Sequence, residues 1–142
     1  MLRLLIAVDG SGYADRAVAY ALRRAAASRD PVKAHLLNVQ LRLAGINVKR
    51  FISQESQHEH YREEAMAVLE PAHARVLAAG MSCEYHIGVG DPGATIIEYA
   101  HSLGCEEVVM GTHGRGFLGG VVMGSVAQKV ISLAPVPVVV VK

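Results

Sequence analysis

The chain has 142 residues, a formal net charge of +1 and a hydrophobic content of 51%. That length argues for one domain, residues 1–142, which buries roughly two-thirds of its unfolded surface and needs neither metal nor disulfide to fold. The near-balanced charge excludes the basic field that nucleic acid or an acidic membrane requires, and the composition excludes disorder.

Cys83 and Cys105 form no C-x-x-C pair; isolated thiols suit a reducing cytosol and read as small core residues rather than catalysts. The apolar run Leu4-Leu5-Ile6-Ala7-Val8 stops at Asp9, too short for a signal peptide or a membrane span, so a cytoplasmic location is expected.

In chain order, Leu2 to Val8 is a short, branched apolar run, the pattern of a strand covered on both faces. Asp9-Gly10-Ser11-Gly12 is turn chemistry. Ala17, Val18, Ala21, Leu22 and Ala25 then recur at helical spacing, with Arg16, Arg23 and Arg24 off the stripe. Asp30-Pro31 turns the chain into a second strand, Val32 to Val39. Leu41 to Gln57 has no period and reads as a loop. A long helix from about Glu55 to Ala79 presents Tyr61, Ala65, Val68, Leu69 and Val76 inward, with Pro71 inside it, where a kink is expected.

Met81 to Ile87 reads as strand three. Asp91-Pro92 reads as an N-cap and first helical residue for the helix Gly93 to Ser102. Glu107 to Met110, Ser125 to Leu133 and Val136 to Val141 read as strand, helix and strand. The alternation of five strands and four helices implies a single-domain, doubly wound parallel α/β sheet with helices on both faces and right-handed crossovers.

The stretch from Gly111 to Ser125 joins the fourth strand to the last helix, and six of its fifteen residues are Gly. Backbone amides converging on a helix N-terminus form a phosphate site. Ser125 offers a hydroxyl as N-cap or phosphate donor, and His113 and Arg115 offer hydrogen-bonding or positive groups. A flexible surface loop is the other reading. Gly119 to Ser125 has the outer glycine spacing of a P-loop but no lysine before Ser125. Gly114 to Gly119 and Gly88 to Gly93 both match G-x-G-x-x-G, but neither is followed by the strand-end acid that would hold a ribose.

Gly111-x2-Gly114-x9-Gly124-Ser125 resembles the ATP-binding signature of the universal stress protein family. Val8-Asp9-Gly10-Ser11 is similar to that family's opening, Gly90-Asp91-Pro92 to its middle, and Pro135 to Lys142 to its closing strand. The resemblance spans nearly the whole chain and is weakest over Leu41 to Gln57. It implies the strand order 3-2-1-4-5, in an adenine-nucleotide alpha hydrolase-like arrangement. Ligands of such sheets sit at the carboxyl ends of strands where the topology switches, here between Val8-Asp9 and Met110-Gly111.

The resemblance implies a nucleotide-dependent stress-response module that binds ATP, or AMP or ADP, with Mg²⁺ accompanying the phosphates and little or no hydrolysis. The implied site comprises Val8, Asp9, Val39, Met110, Gly111, His113, Gly114, Arg115, Gly124, Ser125 and Val126. Asp9 is expected at the ribose or base, or as a simple helix cap; the Val39 backbone at the adenine edge; Met110 in the base pocket or only in the core. The motif glycines are expected to keep side chains out of the phosphate space or to relieve strain in the turn. Gly119-Gly120 stands where relatives often carry polar or basic residues.

A slow ATPase or nucleotidyl-transfer enzyme is one alternative; it would need a general base and a second acid that the motifs do not supply. A nucleotide-free interaction module is another, against which the intact glycine motif stands. His58, His60, His73, His86 and His101 form no metal-ligand set by spacing, and His58-x-His60 reads as surface. The branched run Val136 to Val141 is expected at a sheet edge, where it would pair two copies into a homodimer. A regulatory protein partner is implied; nucleic acid and a membrane span are not.

Overall fold

A computed structural model describes residues 1–42, 53–117 and 119–142. Five strands and four helices alternate among the described residues: β1 (Leu2–Ala7), α1 (Gly12–Ala26), β2 (Val32–Gln40), α2 (Gln54–Ala78), β3 (Ser82–Val89), α3 (Pro92–Ser102), β4 (Glu107–Gly111), α4 (Ser125–Leu133) and β5 (Val138–Val141). All strands are parallel, in the order β3-β2-β1-β4-β5. Ile6 of the central strand is flanked by Leu36 and Val109, so its side chain faces branched neighbours on both sides.

The pleat sends alternate residues to opposite faces, and both faces are covered. Leu4, Ile6, Leu36 and Val109 meet Ala14, Ala17, Val18 and Ala21 of α1 and Ala65, Leu69 and Val76 of α2. Leu5, Leu37, Val108 and Met110 meet Ile96 and Ala100 of α3 and Ala127 and Val130 of α4. Leu4, Leu5 and Ile6 are 0% exposed, and full burial of such a side chain stabilises by about 1.5–3 kcal/mol. This explains the continuous apolar run of β1: neither face of it is wet.

Helix starts follow local cap chemistry. Ser11 caps α1 by accepting from the Ala14 amide at 3.1 Å. Ser53 caps α2 by accepting from the Ser56 amide. That cap starts the helix at Gln54, one residue before the expected Glu55, so the loop expected over Leu41 to Gln57 ends at Ser53; within it, residues 43–52 lie outside the described residues. The helix runs on through Pro71. Asp91 caps α3 through the Ala94 amide at 3.0 Å and meets Lys129 Nζ of α4 at 2.7 Å. The Lys129 hydrogen bond first, and the Ala94 amide second, hold the Asp91 carboxyl below its usual range.

One boundary differs from the expectation. β5 begins at Val138, not Val136. Pro135 and Pro137 have no amide to donate, although the Pro137 carbonyl still accepts from the Val108 amide at 3.0 Å. Burial pushes the thiols of Cys83 and Cys105 up to about 11, so both stay protonated and unreactive at neutral pH. Among the described residues no helix is long and apolar enough to cross a membrane.

Candidate functional site

β1 and β4 are neighbours whose outgoing helices cover opposite faces, and the sheet opens into a crevice beyond their carboxyl ends. Asn38, buried at 4% exposure, fixes the mouth: its Nδ2 donates to the Val8 carbonyl at 2.8 Å, and its Oδ1 accepts from Gln40. The crevice holds a cavity of about 390 Å³. Val8, Asp9, Val39, Met110, Gly111, His113, Gly114, Arg115, Gly124, Ser125 and Val126 all line it. The residues named from the sequence thus lie around one cavity.

Their local roles are partly different from those expected. None of the three motif glycines has a positive φ; Gly116, Gly119 and Gly120 do, at 79°, 100° and 93°. A Cβ on Gly111 would lie 2.6 Å from Tyr13 Cβ and 3.0 Å from the Tyr13 carbonyl carbon. A Cβ on Gly124 would lie 3.1 Å from the Thr112 carbonyl oxygen, which accepts from the Gly124 amide at 2.7 Å. A side chain is therefore excluded at Gly111 and crowded at Gly124 by the approach of chain to chain, not by strain in the turn. Gly114 is the one whose missing side chain leaves room at the cavity: its nearest obstacle would be Asp9 Oδ2 at 3.0 Å.

Ser125 is not the cap of α4. Gly124 holds that position in extended backbone, and among the described residues no side chain makes a cap hydrogen bond to the helix end. The partial positive charge of that end therefore meets the cavity directly. Asp9 does not cap α1 either; its Oδ1 accepts from the Ser11 amide at 2.9 Å. It is the single carboxylate among the described lining residues, as Arg115 is the single arginine or lysine. Arg115 is exposed and also lines a second cavity of about 510 Å³ between α1 and α2.

His113 spends both ring nitrogens on the loop itself. Nε2 lies 3.1 Å from the Val121 carbonyl, to which it donates, and Nδ1 then accepts from the Thr112 hydroxyl at 2.9 Å. Its ring stacks on Phe117 at 3.5 Å between centroids, with Tyr13 tilted against it at 5.3 Å. It is a staple across the loop before it is anything else.

The model of the universal stress protein family matches residues 1–142. The chain belongs to that family. It is 32% identical over 149 aligned positions to a universal stress protein of Thermus aquaticus, covering 98% of this chain and 97% of that one. It superposes on the solved structure of MJ0577, a universal stress protein of Methanocaldococcus jannaschii, with a TM-score of 0.87 and 26% identity, covering 99% of this chain and 95% of that one. A solved universal stress protein in complex with cAMP matches at a TM-score of 0.73 and 26% identity, covering 99% and 97%.

In this universal stress protein the sequence missed much of the cavity's apolar wall. Ala7, Leu37, Ile96 and Ala127 form it, with Phe117 and Val121 from the loop. Leu37 shares a sheet face with Val39 and was readable from the two-residue period of β2. Ile96 and Ala127 come from helices whose rotation relative to the sheet no local pattern states.

Proposed function

We propose that the chain is an adenine-nucleotide-binding universal stress protein, a single cytoplasmic domain whose nucleotide state is read by a regulatory protein partner. ATP is the nucleotide we assign, with AMP or ADP as lesser ligands. One observation carries the reading: a cavity of about 390 Å³ is apolar where β1, β2 and α3 meet and ends on a helix terminus that no side chain caps. Such a volume falls in the usual range for small-ligand sites. An apolar floor suits a base, and open helix amides suit phosphate. The cAMP complex of a relative supports the same class of ligand.

In this reading the base lies against Leu37, Val39, Ile96 and Met110, and the ribose against Asp9. The phosphates lie between Gly114-Arg115 and the Ser125-Val126 end of α4. The donor set, amides with one hydroxyl and one guanidinium, fits an anion. Mg²⁺ then comes with the nucleotide, held chiefly by phosphate oxygens. Hydrolysis is slow or absent: no lysine precedes Ser125, and the one lining carboxylate is engaged by Ser11. Phosphoryl transfer draws most of its rate from positioned charges and an oriented nucleophile.

Denaturing the purified protein and identifying the released nucleotide, followed by calorimetry with ATP, AMP and cAMP on nucleotide-free protein, tests the proposal. Binding of ATP without steady turnover is the expected result. A nucleotide-free preparation that ignores all three would overturn it, and turnover near about 1 s⁻¹ would make the protein an enzyme.

We also infer a homodimer through β5. It is an edge strand, and Val138, Val139, Val140 and Val141 are each only half-buried, a surface that invites pairing with a second copy. Sedimentation at micromolar concentration is expected to show a dimer that Val139→Lys weakens; a wild-type monomer would refute it.

A further inference from the structure

We propose that His35, Glu84 and His86 form a binding site for a divalent transition-metal ion of the zinc type, at the β2–β3 edge and outside the residues that line the nucleotide cavity. By spacing along the chain His86 has no ligand partners, and His35 does not stand out. The sheet brings them together: His35 pairs laterally with Glu84, and His86 follows two residues later on the same face.

The three groups converge. His35 Nδ1 lies 2.9 Å from His86 Nε2 and 3.4 Å from Glu84 Oε2. One ligand atom from each lies within 4.8 Å of the others. The two rings stack at 5.2 Å between centroids, and Tyr99 backs His86 at 5.8 Å. Two imidazole nitrogens and a carboxylate thus face one point; the contact between the rings needs a proton on one nitrogen, and a metal ion would take that proton's place. His35 is 3% exposed, and among the described residues its second nitrogen, Nε2, has no hydrogen-bond partner. A network of hydrogen bonds is therefore not what places this ring inside.

The distances suit the ion. Zinc takes histidine nitrogen and carboxylate oxygen at about 2.0–2.2 Å, so tetrahedral ligands stand roughly 3.3 Å apart. The His35–Glu84 separation already meets this, and the ring-to-ring contact must open by about 0.4 Å. Glu84 is exposed, which leaves the fourth position to water, the pattern of two histidines, a carboxylate and one open place. Burial holds both imidazoles below their ordinary range, while Glu84 pulls each the other way.

Two cations oppose the ion. Lys33 Nζ sits 3.3 Å from Glu84 Oε2, and Arg3 acts on His35 through its charge. The metal must take Glu84 from Lys33 or use the other carboxylate oxygen.

Calorimetry with Zn²⁺, and the visible spectrum of a Co²⁺ titration, on the untagged full chain test the proposal. One equivalent with a tetrahedral Co²⁺ band is expected. His86→Ala should weaken binding by more than the ~10–100-fold that loss of an outer-shell partner costs, and Glu84→Gln should also weaken it. Lys33→Gln, which removes the competing ammonium, should tighten it several-fold, which no purely structural histidine pair would do. The paired change His58→Ala with His60→Ala should leave it unchanged. Absence of binding by the wild type, binding that survives His86→Ala, or binding lost with His58 and His60 overturns the site.

Discussion

The glycine-rich loop has a base and an arch, and the same residue type serves them differently. At the base, Gly111 and Gly124 have ordinary negative φ and no room: Tyr13 crowds one and the Thr112 carbonyl the other. In the arch, Gly116, Gly119 and Gly120 have positive φ, and no atom of the described residues lies within 4 Å of where a Cβ would stand. The base needs glycine for space and the arch for backbone conformation. Two of the three signature glycines lie in the base; the arch glycines are those the signature leaves unspecified. A motif glycine is thus no sign of a strained turn, and a glycine outside a motif can be the strained one.

Four substitutions test that contrast. Gly111→Val should have the largest effect, because the obstacle is the Cβ and backbone of α1 rather than a side-chain tip; a loss of about 1–3 kcal/mol or more is expected in urea unfolding. Thermal stability equal to wild type would show that the base is not packed as described. Gly114→Val meets only the end of Asp9, so unfolding should shift by less than about 1 kcal/mol while calorimetry loses the nucleotide signal. Unchanged nucleotide affinity there would move the phosphates elsewhere.

His113→Ala removes both staples and the Phe117 stack, each hydrogen bond worth about 1 kcal/mol net. Amide exchange should quicken at Val121 and Met123 while β4 stays protected. Gly120→Ala should cost about 1–2 kcal/mol, as for a left-handed residue whose strain is in the backbone alone, with Gly111 packing and nucleotide binding unaltered. A larger loss from Gly120→Ala than from Gly111→Val would reverse the assignment of base and arch.

Much of this was legible in the sequence because its signals are local. Apolar runs bounded by Asp, Gly and Pro marked the strands, Ala17, Val18 and Ala21 marked the inner face of α1, and Asp91-Pro92 marked a helix start. Alternation then yields a parallel sheet, and the family resemblance supplied its order. What stayed hidden depends on approach between distant segments. Nothing near Gly111 says that Tyr13 will lie against it. His35 and His86 are 51 positions apart and meet only through the β2–β3 register. Ser125 looked like a cap by residue type, but the helix starts one residue too early for it, with Gly124 in the cap position.

The 2.7 Å hydrogen bond from the Gly124 amide to the Thr112 carbonyl has a polymer consequence. It closes residues 113–123 into a ring whose ends are fixed by the base. Closure entropy grows only as the logarithm of loop length, so doubling such a ring costs about 0.6 kcal/mol. The arch is therefore nearly free to change length, and inserted residues would enlarge the roof of the cavity without loosening its walls. Changes of ligand size can in this way be absorbed by the number of residues in the arch, while Thr112 and Gly124 stay where they are.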